Sequence, residues 1–335
     1  MLKFIRPIAA TVLLAATMLG CKKEESAAGP EGGASKKPIV IGMVAKSQAN
    51  DVFQAAYTGA KDAAKELGDK YGVIVTIDWQ TPPAEDSQQQ VTAIETLVRT
   101  GAAGICVACT DAATLAPAID RAVDKGVPVM TFDSDAPTSK RFAYYGSDHK
   151  KIGTVVVASL AKAMNDTGTI AILGGNQSAT NLQLRVQAAK DELAKHPNMK
   201  LLPASGGVFY HEETPEKAAE AVATATNANP GIQGWAFIGG WPLFTTNALK
   251  WPAGTIKCVS CDALPAELAY IRDGHVQTLY AQDCYGWGHK SVETLLEKIV
   301  NHKDPETAVM FDPLQEVTKD NVDEYAKNWD KWLGK

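Results

Sequence analysis

The chain has 335 residues, 45% of them hydrophobic and 21% charged, which excludes a disordered chain and suits about two domains. The formal net charge is −5, with acids and bases mixed along the sequence. Without a basic face, no nucleic-acid partner is expected.

At the N-terminus, Lys3 and Arg6 precede an apolar run from Ile8 to Leu19. That run is shorter than the roughly 20 residues a membrane span needs, and it has the build of an export signal. It ends in Met18-Leu19-Gly20-Cys21, which is similar to a bacterial lipobox. The segment 1–21 is therefore expected to be a lipoprotein signal with lipid on Cys21, and 22–37 a flexible tether of Lys, Glu, Gly, Ala and Ser. The mature chain is expected in the periplasm or on the outer face of the cytoplasmic membrane.

From Pro38 the pattern predicts a strand over 39–45, a helix over 53–67, a strand over 73–79 and a helix over 88–99 closed by Gly101. A strand over 104–109, a helix over 115–125 and a strand running to Phe132 follow. Short βα connections of this kind force parallel pairing with right-handed crossovers. After Tyr144-Tyr145-Gly146-Ser147-Asp148 the cycle restarts. Helices are predicted over 149–164, 184–195, 215–228, 265–273 and 285–300. Strands are predicted over 169–173, 201–209 (interrupted by Gly206-Gly207), 234–238, 256–261 and 277–282, with a short helix between 234–238 and 256–261. A polar tail closes in a helix around 323–333. The fold class is α/β, as two doubly wound parallel-sheet lobes whose ligand crevices lie at the carboxyl ends of the strands.

Six cysteines include Cys106-Val-Ala-Cys109 and Cys258-Val-Ser-Cys261. Both pairs sit inside apolar strands, where a spacing of three puts the thiols on opposite faces, so buried small hydrophobes are expected rather than a metal site. The histidines show no ligand spacing, and His211-Glu212-Glu213 reads as a solvated turn. No phosphate loop and no nucleophile elbow is present, and neither catalytic residues nor a cofactor are expected.

The opening strand Ile41-Gly42-Met43-Val44-Ala45-Lys46, then Asn50-Asp51-Val52-Phe53, Gly126-Val127-Pro128-Val129 leading to Asp133-Ser134-Asp135, Gly146-Ser147-Asp148, Arg185, Asp262 and Ala281-Gln282 form a recognisable set. On these residues the chain resembles periplasmic substrate-binding proteins of the ribose/galactose-binding type, receptors of ATP-driven sugar importers. The resemblance implies two lobes joined by a three-strand hinge, crossing near 146–148, 282–285 and 311–312. The N-lobe would be 38–146 plus 284–310, and the C-lobe 147–283 plus 311–335. It further implies a monomer that captures a sugar or polyol and docks on an ABC permease in the membrane.

By position, Asn50, Phe53, Asp133, Arg185, Asp262 and Gln282 match ligand-contacting residues of the family. Lys46 matches a binding lysine of autoinducer-type relatives, and Asn181 lies one helical turn before Arg185. Sugar hydroxyls both donate and accept, and carboxylates, arginine, Asn and Gln meet those roles between them. The sequence departs from the ribose binders at Gly239-Gly240-Trp241, where they carry Asn-Asp, and at Ser134-Asp135, where they carry Arg. Trp241 and Trp79 are therefore candidate covers for a different ring, and Trp241 joins the expected ligand set. Alternatives left open are a ligand sensor docking on a membrane receptor and, from the Asp133-Ser134-Asp135 triplet, a metal-dependent glycosyltransferase.

Overall fold

The computed structural model describes residues 38–333 except Ser178; the expected signal, the tether and Cys21 lie outside the described residues. The first half alternates β1 (Ile39–Val44), α1 (Asp51–Tyr71), β2 (Val75–Trp79), α2 (Ser87–Thr100), β3 (Gly104–Val107), α3 (Ala112–Asp124), β4 (Val129–Phe132) and β5 (Ala143–Gly146). The second half brings α4 (His149–Ala163), β6 (Gly168–Gly175), α5 (Thr180–Leu193), β7 (Met199–Leu201), β8 (Val208–Tyr210), α6 (Pro215–Ala228), β9 (Gly234–Phe237), β10 (Lys257–Cys261), α7 (Pro265–Arg272) and β11 (Thr278–Ala281). α8 (Cys284–Asn301), β12 (Val309–Phe311), β13 (Gln315–Val317) and α9 (Val322–Trp332) complete it.

Among the described residues the strands form two sheets. The first has the order β12-β5-β4-β3-β1-β2 and is parallel throughout. The second runs β13-β11-β10-β9-β6-β7, with β8 also on β6 and only β13 antiparallel. This is the periplasmic-binding-protein type I fold. The chain passes between the sheets three times: from β5 to α4, from β11 to α8, and from β12 to β13. α9 touches α7 beside the second sheet and α1 beside the first.

Strand alternation sorts the cysteines. Cys106 joins the core that includes Met43 and Met130, whereas Cys109 joins the core of Val44, Ile105 and Leu115 on the other face of the first sheet. Each strand-to-helix turn of the first lobe ends in a side-chain cap, with Asn50 on α1, Asp86 on α2 and Asp111 on α3.

Besides β5, β12 and β13, which the pattern did not predict, four details differ from the sequence expectation. α3 starts at Ala112, where the Asp111 cap places it, rather than at Leu115. α5 starts at Thr180, four residues early, because its N-cap Ala179 offers no side-chain acceptor that a pattern could detect. The strand expected over 201–209 is two short strands, β7 and β8, with a tight turn at Ala204–Gly207 where Ser205, Gly206 and Gly207 all have positive φ. The short helix expected before β10 is a single 3-10 turn, Trp241–Phe244.

Candidate functional site

The carboxyl ends of both sheets face one cleft. Its open part is a cavity of about 700 Å³, lined from the first lobe by Ser47, Asn50 and Glu85 and from the second by Asn176, Glu213 and Trp241. Below it, buried polar groups from both lobes converge.

In the first lobe, fully buried Gln90 of α2 braces the strand tips. Its amide donates to the carbonyls of Ala45 (2.9 Å) and Ala108 (2.7 Å), and its oxygen accepts from the Thr110 N–H (3.0 Å). Lys46 follows β1 and lies 3.5 Å from Asp133, which follows β4. Both are buried. Burial disfavours the Lys46 charge, but the attraction of Asp133, Glu85 and Glu213 outweighs it and raises the ammonium above its usual range. Glu213 belongs to the second lobe, so the strand tips of the two halves are within electrostatic reach of each other.

In the second lobe, Arg185 of α5 is buried and its fork is engaged on every side. Nη1 donates to the Ile238 carbonyl (2.9 Å) and contacts Cys261 Sγ (3.3 Å), and Nη2 donates to Gln282 Oε1 (2.9 Å). Nε and Nη2 both approach His149 Nδ1, at 3.3 and 3.2 Å. Gln282 in turn donates to Asp262 Oδ1 (2.5 Å), and the Gly240 N–H donates to Asp262 Oδ2 (3.0 Å). Asp133 and Asp262 both have positive φ, at 53° and 74°, a rare backbone state that Asp tolerates better than most residues.

The structure thus brings Asp262, Arg185 and Gln282 into one network, with Lys46 and Asp133 opposite. Asn50 caps α1 by accepting from the Val52 N–H (3.2 Å) and also lines the cleft mouth. Asn181 occupies the first turn of α5, half-buried. Trp241 lines the cleft wall on a seat of glycines, for a Cβ on Gly239 would lie 2.3 Å from the indole and one on Gly175 2.8 Å. Phe53 lies deeper, in the core, with its ring 6.4 Å from that of Trp287. Trp79 packs on Tyr57 (4.3 Å) instead of joining the cavity lining.

Two readings change. His211 is not in a solvated turn: its half-buried ring meets Trp241 edge-on at 5.1 Å, and burial holds its pKa below the ordinary value. Glu213 beside it is half-buried, and burial pushes its carboxyl up while Lys46 opposes the rise. The acid pair required by a metal-dependent transferase is also split. Both Asp135 oxygens are taken by the Arg141 fork (2.5 and 2.6 Å), and Oδ1 also accepts from Thr131 (2.5 Å) and the Ala136 N–H (2.8 Å).

Residues missed by sequence reasoning are those that hold the network rather than face the cavity. They are His149 at the start of α4, Tyr144 on β5, and the hinge group of Ser147, Asp312 and Trp287, in which Asp312 Oδ2 accepts from both others (3.0 and 2.8 Å). Their only sequence signal is position, directly beside a passage between the sheets.

Comparison with known proteins identifies the family and the fold. The D-ribose/D-allose-binding protein of Pseudomonas aeruginosa is 27% identical over 286 residues, covering 81% of this chain and 86% of that protein. The crystal structure of an ABC transporter solute-binding protein from Burkholderia graminis in complex with D-arabinose superimposes with a TM-score of 0.76 at 26% identity, covering 85% of this chain and 96% of that one. A solute-binding protein from Bacillus halodurans with bound myo-inositol shares the fold at 20% identity, with a TM-score of 0.76 over 88% of this chain and 99% of that one. The family model described as a periplasmic binding protein domain matches residues 41–303, and the chain belongs to that family.

Proposed function

We propose that this chain is the solute-binding component of an ABC importer that captures a sugar or sugar-like polyol between its lobes and delivers it to a membrane permease. In this reading the protein acts as a monomer, tethered by lipid on Cys21, with N-lobe 38–146 plus 284–310 and C-lobe 147–283 plus 311–335. The observation that carries it is the convergence of Lys46 and Asp133 from one lobe with Arg185, Gln282 and Asp262 from the other beneath a shared cavity. Two separate halves offer buried charged donors and acceptors to one guest. Each guest hydroxyl costs on the order of 1–3 kcal/mol to desolvate unless both its roles are met. Asn50 at the mouth and Phe53 and Asn181 behind it complete the proposed contact set, with Trp241 as an apolar wall for one ring face. Binding that is tighter in the closed state shifts the hinge equilibrium toward closure.

A thermal-shift screen of the full chain against D-ribose, D-allose, D-arabinose and myo-inositol tests this. A ligand at roughly a hundred times its Kd stabilises by about 2.7 kcal/mol, a rise of several degrees in Tm. A flat response to every sugar and polyol overturns the ligand class. For the anchor, Cys21→Ser should move the protein from the membrane fraction to the soluble one; retention in the membrane overturns lipidation at this residue.

A further inference from the structure

In the second lobe α4 and α5 pack closely through a glycine. A Cβ on Gly153 would sit 2.1 Å from the Arg185 carbonyl oxygen, so only glycine lets the helices touch there. His149 stands one helical turn before Gly153 on α4, and the contact carries its imidazole onto the Arg185 side chain. Nδ1 receives both Nε and Nη2 of the guanidinium, at 3.3 and 3.2 Å. An imidazole nitrogen that accepts from arginine carries no proton, so the ring proton is on Nε2. Nε2 lies 3.5 Å from the Tyr144 hydroxyl, which donates to the Asp133 carbonyl at 2.9 Å. The donor direction therefore runs unbroken from the guanidinium of one lobe to the strand tip of the other, across the first passage between the sheets.

We infer that His149 is a positioning residue, which fixes the Arg185 fork in the cleft and ties it through Tyr144 to the Asp133 strand end. The inference deepens the proposed function and rests on Arg185 being a ligand-holding group. Nδ1 has one lone pair shared by two N–H groups, while Ile238, Cys261 and Gln282 take the others, so the orientation of the fork depends on this acceptor. Burial and the nearby charges of Arg185 and Lys46 hold the imidazole pKa well below its ordinary value, so the ring remains an acceptor at neutral pH.

The test compares His149→Asn with His149→Leu, side chains of equal size of which only Asn keeps an acceptor near the Nδ1 position. Calorimetric titration of the full chain with D-ribose, D-allose and D-arabinose should show the Leu variant at least roughly tenfold weaker and the Asn variant within about threefold of wild type. The second measurement needs no ligand. In arginine-labelled protein, the Arg185 Nε–H NMR signal should lose its protection from exchange in the Leu variant and keep it in the Asn variant. Thermal melts of both variants separate these effects from unfolding. A Leu variant that binds as tightly as wild type, or more tightly, overturns the inference and makes His149 an occluding group. An unchanged Nε–H signal overturns it equally. If the wild type binds none of the sugars while the Nε–H signals behave as expected, the positioning role stands and the sugar reading fails.

Discussion

The two lobes end their central strands in the same way and then treat the result differently. In each, an aspartate with positive φ follows the strand, Asp133 after β4 and Asp262 after β10. In each, its N–H donates to the carbonyl of a tyrosine on the neighbouring strand, Tyr145 at 3.2 Å or Tyr280 at 2.9 Å. That strand then leads out of the lobe. Yet Asp262 accepts hydrogen bonds from Gln282 and Gly240 and sits beside a fully engaged arginine, while Asp133 has a lysine at 3.5 Å. The second lobe presents a hydrogen-bonded polar network; the first presents a buried charge pair with fewer hydrogen bonds on its carboxylate. A guest that met both would find one side rigid and the other able to adapt, which is how hinge closure can gain contacts without prior strain.

The largest expected effect breaks this asymmetry directly. Asp262→Ala strips the acceptor from Gln282 and Gly240 beside a buried guanidinium and should cost about 3–5 kcal/mol of stability in chemical denaturation. Asp133→Ala suffers the same backbone strain at positive φ but leaves Lys46 within reach of Glu85 and Glu213, so about half that loss is expected. Equal losses would mean that the first lobe is as prebuilt as the second.

A smaller effect concerns the hinge that joins them. Asp312, beside the third passage, has its pKa raised to about 6, chiefly by burial and further by the charge of Asp283, against the hydrogen bonds from Trp287 and Ser147. A carboxyl whose folded pKa lies above its unfolded value favours the folded state most at pH below the unfolded value. That contribution is lost as pH rises through about 6. The shift from 3.8 corresponds to at most about 3 kcal/mol. Asp312→Asn should therefore raise Tm relative to wild type near pH 8 and lose that advantage as pH falls below the unfolded value of 3.8. A constant difference across pH would remove Asp312 as the titrating group.

The smallest effect sharpens the view of the second lobe as rigid. Gly239→Ala places a methyl group 2.3 Å from the Trp241 ring, and overpacking of this kind costs typically about 1–3 kcal/mol. The indole would be driven toward the cavity, so ligand affinity should fall more than Tm does. A variant with unchanged affinity would show the wall to be as yielding as the opposite side.

Most helices and the long strands were legible because apolar spacing and caps such as Asp148 are local signals, although the Asp111 cap of α3 was passed over. β12 and β13 were not legible: each has three residues at a sheet edge, with Val309 and Phe311 of β12 exposed and Val317 the one buried residue of β13, so neither is long enough to leave a pattern. Among the site residues, Asp133, Asp262 and Arg185 could be named because they match ligand-contacting positions of the family the sequence resembles. Gln90, His149 and Asp312 could not, because a polar residue that braces others looks in sequence like any surface residue.

By itself the sequence determined the α/β alternation, the two-lobed build and the family, since each follows from short-range periodicity and motif order. Only the tertiary structure decided which polar groups meet. Arg185, Gln282 and Asp262 are separated by tens of residues and joined by crossovers, and their pairing depends on helix packing at Gly153 and on sheet register. Those quantities leave no trace in neighbouring residues.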